Sequence, residues 1–434
     1  MFKKEKSLSP FLFAVLLLAI FFAQCNQKNS SKLFSQLDSL VQHKEFFKLE
    51  SQFQKEKDQL DKGQQLYFNA FLNNAFNKNS IAAKQVDTLL KNYPKHFPDS
   101  AKSQLLQIQE DSYFKLFQYA KAADVDSILI HDYAKVLDSS DLADRKNKYL
   151  ITNALRHTPP QYISKDLVTE IQWKRNALGL ITIPVKHDTS TFNAIFDTRA
   201  NISSITQSFA KKLKLKILPV TYSESSGATG MEFKTGLGIA DSLVIGNILI
   251  RNAVFQVMPD SVLYIAPLKT SLDMILGFQV IAALGEIHIV KDGQMIIPKI
   301  QNESALHNLS LHELDPVVLL KTGNDTLAFN FDLGASTTDL YYAFYQKYKS
   351  KILKEGFQKK IHVAGAGGII EKSVYIIPSL PLTLGDKTKT IDSVDVFMEK
   401  VFPKEILYGN IGNDFASQFT DLVLNLDKMY IKGN

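Results

Sequence analysis

The sequence predicts two architectures in one chain, an N-terminal all-α region followed by an all-β region built as a duplicated unit. Three observations carry this. Apolar residues recur at spacings of three and four from Leu33 to about residue 160. From about residue 165 the period changes to two and β-branched residues dominate. Within that β part, one series of features occurs twice in the same order. The length of 434 residues suits two to three domains, and 45% hydrophobic with 22% charged residues is a globular composition.

The elements follow in chain order. Lys3, Lys4 and Lys6 precede an apolar run from Phe11 to Phe22, which has the length and flanks of a signal-peptide core and is short for a membrane span. Cys25, the single cysteine, follows directly in Phe22-Ala23-Gln24-Cys25. One cysteine excludes an intramolecular disulfide, a four-cysteine zinc site and a CxxC redox pair. The run and its cysteine resemble a bacterial lipoprotein signal. That resemblance implies cleavage before Cys25, its lipidation, and export to a membrane face, periplasmic or outer-membrane. Residues 1–25 are then the signal peptide and 26–32 a polar tether. The net charge of 50 − 44 = +6 is mild, with no basic run that would point to nucleic acid.

Residues 33–160 read as a helical domain. Leu33, Phe34, Leu37, Leu40 and Val41 mark one helical face, and Leu66, Tyr67, Ala70, Phe71 and Phe76 another. Pro94, Pro98 and Pro159-Pro160 mark stops and starts. Ala70, Ala82 and Pro94 fall at equal spacings (82 − 70 = 12; 94 − 82 = 12). This is similar to a tetratricopeptide hairpin, which implies a platform for a protein partner; a plain helical spacer is the alternative.

Two β halves follow, at 165–300 and 301–434. In the first, Leu178–Val185 and Phe192–Phe196 flank a His187-Asp188-Thr189-Ser190 turn and lead into Asp197-Thr198-Arg199-Ala200. In the second, Val317–Leu320, a Gly323-Asn324-Asp325 turn and Leu327–Phe331 lead into Asp332-Leu333-Gly334-Ala335. A glycine-rich stretch comes next in each: Gly227, Ala228, Thr229 and Gly230, then Gly365, Ala366, Gly367 and Gly368. Gly277 and Gly412, each after an aliphatic residue, stand equally far from the aspartates (277 − 197 = 80; 412 − 332 = 80). A helical turn and a closing strand pair end each half, near Met295 and Met429.

A strand ending in Asp-Thr-Gly-Ala, a glycine hairpin about 30 residues on, and a hydrophobic-hydrophobic-Gly together resemble the aspartic proteases. The short unit with alanine after the motif looks like the retropepsin type, and two units in one chain look like the pepsin arrangement, which implies a duplicated, pseudo-twofold, β-barrel-like fold. The resemblance covers about residues 170–434. It implies a catalytic pair of Asp197 and Asp332 at the floor of one cleft, sharing a proton because two like charges so close do not both ionise readily. It implies hydrolysis of an extended polypeptide without metal or other cofactor. Gly277 and Gly412 would complete the loops under the aspartates. The stretches Gly227–Gly230 and Gly365–Gly368 would be flaps, the first of them the working flap.

Both motifs depart from the family pattern. Arg199 stands where the first motif should have glycine. An arginine about 4 Å from a carboxylate at an effective dielectric of about 20 is worth on the order of 4 kcal/mol and favours the ionised form. Leu333 stands where a threonine hydroxyl would brace the opposite loop, so Thr198 retains only one half of that brace. Gly334 keeps the pattern. Two readings remain open: a membrane-tethered aspartic endopeptidase, and an inactive relative that binds peptide or a partner protein in the cleft.

Overall fold

The computed structural model describes residues 30–225, 229–401 and 405–434. The apolar run read as a signal peptide, Cys25, Gly227 and Ala228 lie outside the described residues. Among those described, no helix is long and apolar enough to cross a membrane.

Among the described residues seven α-helices come first: α1 (30–42), α2 (Phe46–Glu56), α3 (Lys62–Ala75), α4 (Asn79–Asn92), α5 (Asp99–Lys115), α6 (Tyr119–Asp132) and α7 (Ser139–Ala154). Residues 30–32, read as tether from sequence, already belong to α1, and Ser30 Oγ donates to Gln64 Oε1 at 2.9 Å. The helix starts are chemically marked. Asp61 accepts from Gln64 N while the Gln64 side chain accepts from Asp61 N, a capping box for α3. Asp138 likewise accepts from Asp141 N at the start of α7. The α3/α4 and α5/α6 pairs are hairpins, turned by Asn77 and Phe117 at φ 58° and 57°. Ala70 and Ala82 are fully buried. Phe34, Tyr67, Phe68 and Phe97 pack together as the aromatic centre of this region.

The β-rich part begins at Tyr162–Ser164, three residues earlier than the sequence period suggests, because this short strand adds to Ile248–Met258. Two large sheets are formed, one of nine strands before residue 280 and one of eight after 308. Their pairings correspond. Ile275 lies beside Ile195 in a parallel pair, as Asn410 lies beside Asn330 (330 − 195 = 135; 410 − 275 = 135). Ile183 lies opposite Ala194, as Val318 lies opposite Phe329, at the same offset (318 − 183 = 135). The alternation that marks these strands in sequence places Phe196, Phe329 and Phe331 in the interior, where each buried side chain contributes roughly 1.5–3 kcal/mol.

A third sheet of five strands ties the two parts. Its centre is the antiparallel pair Glu286–Val290 and Asp421–Asn425, in which His288 lies opposite Val423 (423 − 288 = 135). Glu286 is fully buried there, and it accepts from Asn302 N, Asn425 Nδ2 and Tyr430 Oη. His288 bridges Glu286 and Asp421 at 2.9 and 3.0 Å. Trp173 anchors the nearby edge, its indole N–H shared by the carbonyls of Val290 and Gln294.

The helices pack on both β parts. Helix α7 lies against strand Lys216–Ser225, and α3 against Leu309–His312. Asn77 Nδ2 donates to Leu426 O at 2.8 Å, His312 packs edge-on to Phe46, and Lys148 meets Glu313 at 2.6 Å.

Candidate active site

Asp197 and Asp332 each follow the last residue of a buried strand, Ser190–Phe196 and Asp325–Phe331. Each is fixed by a short parallel neighbour: Asp197 N donates to Leu276 O at 3.0 Å and Asp332 N to Ile411 O at 2.9 Å. The glycines after those neighbours allow the next loop to close. A β-carbon on Gly277 would lie 2.3 Å from Ala200 O, and one on Gly412 would lie 2.4 Å from Thr337 O. Gly277 N donates to Ser203 Oγ and Gly412 N to Thr338 Oγ1. Phe278 N reaches Ala200 O and Asn413 N reaches Ala335 O. The two aspartates therefore hang in matching loops.

Those loops meet. A β-carbon on Gly334 would lie 2.1 Å from Asp197 Cγ, so the second motif runs directly against the first carboxyl group. Asp197 Oδ1 accepts the N–H groups of Arg199 and Ala200 at 2.8 and 3.1 Å. Asp332 Oδ1 accepts that of Gly334 at 2.8 Å, and Oδ2 accepts Asn410 Nδ2 at 3.0 Å. Burial, and then the charge of Asp332, push the Asp197 carboxyl up to about 7 despite its backbone donors and the nearby Arg199. The Asp197 carboxyl is thus suited to hold a proton near neutrality.

Thr198 is fully buried, and its hydroxyl donates to Phe331 O at 2.8 Å and accepts Leu333 N at 3.0 Å. That half of the brace is complete. On the other side Leu333 is fully buried without a hydroxyl, while its carbonyl accepts Asn413 Nδ2 at 2.7 Å.

Arg199 points neither into solvent nor squarely onto the aspartates. Its Nη1 lies 3.7 Å from Asp332 Oδ2 and donates to Asn410 Oδ1 at 3.1 Å, and its Nε lies 3.5 Å from Asp315 Oδ1. Asn410 stands between the two groups, accepting from the arginine and donating to the aspartate. Sequence reasoning missed both Asn410 and Asp315. The nearest signal for Asn410 was its place two residues before Gly412, where the first half has Ile275.

Thr229 and Gly230 of the first glycine stretch, and Gly365–Gly368 of the second, lie at the ends of two hairpins. One joins Lys216–Ser225 to Glu232–Ile245 and the other joins Phe357–Gly365 to Gly368–Leu384. Gly367 and Gly368 have φ of 84° and 143°, which favours glycine at that turn. The tips touch. Thr229 Oγ1 donates to Ala366 O at 3.1 Å, and a β-carbon on Gly367 would lie 3.2 Å from Met231 Cβ. Gly367 N also donates to Val262 O at 2.8 Å. The second hairpin is also long-armed and docks on the first half, so both hairpins meet over the motif loops.

Residues 183–280 match a family model described as aspartyl protease. The match includes Asp197, Thr198, Arg199 and Gly277, and it supports an aspartyl protease domain behind the helical region. No curated protein matches the chain.

Proposed function

We propose that the β region is an aspartic endopeptidase made by duplication of one retropepsin-like unit, with Asp197 and Asp332 as its catalytic pair. The observation that carries this is the contact of Gly334 with Asp197, which requires both motif loops to share one floor. The constant offset of 135 between paired strands supports the duplication, with a local twofold axis passing between His288 and Val423. In this reading Asp332, held by Asn410 and Arg199, is the ionised member and takes a proton from a water between the carboxyl groups. The water oxygen attacks the peptide carbonyl carbon while protonated Asp197 hydrogen-bonds the carbonyl oxygen. Collapse of the tetrahedral adduct breaks the C–N bond, and the proton taken up by Asp332 passes to the leaving nitrogen. The touching hairpin tips would open to admit an extended polypeptide and then cover it, supplying backbone hydrogen bonds.

The ion pair of Arg199 with Asp332 favours a second reading, an inactive relative that binds peptide in the same cleft. Casein cleavage at mildly acid pH, blocked by a pepstatin-type inhibitor and abolished by Asp197→Asn and by Asp332→Asn, distinguishes the two. Unchanged cleavage in both variants overturns the pair; inhibitor binding without cleavage selects the second reading. The anchor belongs to the same proposal. With lipidated Cys25 the enzyme sits on a bacterial membrane face outside the cytoplasm, with the helical region offering a surface to a protein partner. Cys25→Ser should release it from membranes, and persistent retention would reject lipid anchoring.

A further inference from the structure

The environment of Arg199 extends beyond the aspartate pair. Its guanidinium lies between Asp332 on one side and Asp315 on the other, at 3.7 and 3.5 Å. The Arg199 side chain is about one-fifth exposed, and its Nε makes no hydrogen bond. A half-satisfied, partly buried cation of this kind can settle on whichever carboxylate is better placed, and Asp315 sets that balance. Asp315 opens the strand Asp315–Thr322 and pairs across a tight turn with His312. Glu313 in that turn has φ 57°, a left-handed conformation that ordinary side chains adopt only when their surroundings hold them.

The surroundings that hold the turn belong to the helical region. Glu313 receives Lys148 of α7 at 2.6 Å. His312 Nε2 lies 3.1 Å from Lys44 O, and the His312 ring packs against Phe46 of α2. Behind Lys148, Arg145 is buried against Glu110 and Asp126 at 2.7 and 3.3 Å, which stiffens α7 at the point of contact. A continuous path of side chains thus runs from the helices through the His312–Asp315 turn to Arg199 and Asp332.

We propose that Asp315 is a positioning residue, presented by the helical region, which shares the Arg199 guanidinium with Asp332 and so prevents the arginine from closing onto the catalytic pair. This inference deepens the protease reading and rests on it. It gives the helical region a part in the chemistry and explains how an arginine is tolerated where the family pattern has glycine. The charged and titratable groups facing Arg199 are Asp315, Asp332, Asp197 and Tyr341. Asp315 itself also faces Glu313 and Lys44, and Asp339 faces Asp332. Removing the Asp315 charge leaves the cation to the two catalytic carboxylates, and both then favour ionisation.

The test follows the Asp197 carboxyl by carbon-13 NMR across pH in the whole exported chain, alongside the pH profile of peptide cleavage. Asp315→Asn should move the Asp197 titration and the alkaline limb of the profile down by about one unit. In an Arg199→Met background the same change should move the titration far less, because the shared cation is gone. Lys148→Met, which leaves Asp315 in place and loosens only the turn, should shift in the same direction by a smaller amount and keeps the test valid where Asp315→Asn fails to fold. An unshifted titration in both Asp315→Asn and Lys148→Met, or an equal shift with and without Arg199, overturns the proposal. A shifted titration in a protein that cleaves nothing supports the positioning role while rejecting the protease reading, so the two failures are distinguishable.

Discussion

Gly334 lies so close to Asp197 that no side chain fits between them: a β-carbon there would come within 2.3 Å of both carboxylate oxygens. The two motif loops therefore cannot be substituted independently, and the glycine retained in the second motif serves the aspartate of the first.

Gly334→Ala should drive the loops apart. Overpacking of this kind costs about 1–3 kcal/mol, and the displaced Asp197 should lose most of its activity. Urea denaturation together with a kcat measurement reads both effects; a variant of normal stability and activity would mean that the loops part without strain.

Under the proposed reading, Asp197 makes the fold and the cleavage respond to pH in the same direction. Its carboxyl is held protonated up to about 7, whereas in the unfolded chain it ionises near about 3.9. A raised carboxyl favours the folded state at low pH, and that contribution is lost as pH rises from about 4 through about 7. Asp197→Asn should accordingly stabilise the protein relative to wild type at pH 8 and not at pH 3.5, while eliminating cleavage. Thermal unfolding at the two pH values checks the sign. In the wild type, cleavage should decline above about 7 as the shared proton is lost.

Thr198→Val keeps the shape of the side chain and deletes the hydroxyl that accepts Leu333 N and donates to Phe331 O. A buried N–H left without a partner costs about 1–3 kcal/mol. Thr198→Ser should recover much of the loss. Equal stability of the valine and serine variants in chemical denaturation would show that the brace contributes nothing.

His288 is held above the usual histidine range chiefly by its hydrogen bond to Asp421, with Glu286 adding to it against the effect of burial. A raised histidine contributes stability that is fully present below about 6.5 and lost as pH rises through the folded value. His288→Gln should therefore lower the unfolding temperature more at pH 5.5 than at pH 8.5. The reverse order would mean that the ring is neutral between its two carboxylates.

Much of this was legible because the decisive features are periodic or local. Aspartates directly after apolar strands, glycines where one backbone presses on another, and an equal spacing of 80 residues to Gly277 and Gly412 are all visible in the chain. The start of the β region was less so, since Tyr162–Ser164 is a strand only through its pairing with Ile248–Met258. Asn410 and Asp315 were not legible at all. Each acquires its meaning from Arg199, more than 100 residues away, and although Asn410 stands where the first half has Ile275, nothing local says what it meets. The meeting of Thr229 with Ala366 was hidden for the same reason, because it depends on the reach of two separate hairpins.

The sheet that joins the halves puts a condition on when the molecule can act. Strand Glu286–Val290 pairs on one side with the adjacent Gln294–Ile297, but its other neighbour is Asp421–Asn425, and the loop under Asp332 closes through Gly409–Ile411. A ribosome releases Asp197 more than two hundred residues before that neighbour exists (421 − 197 = 224). During synthesis the first half carries a lone carboxyl group with no second aspartate to share its proton. If the proposed protease reading holds, proteolytic competence is deferred until downstream strands are in place, a safeguard for the cell that comes from strand order alone.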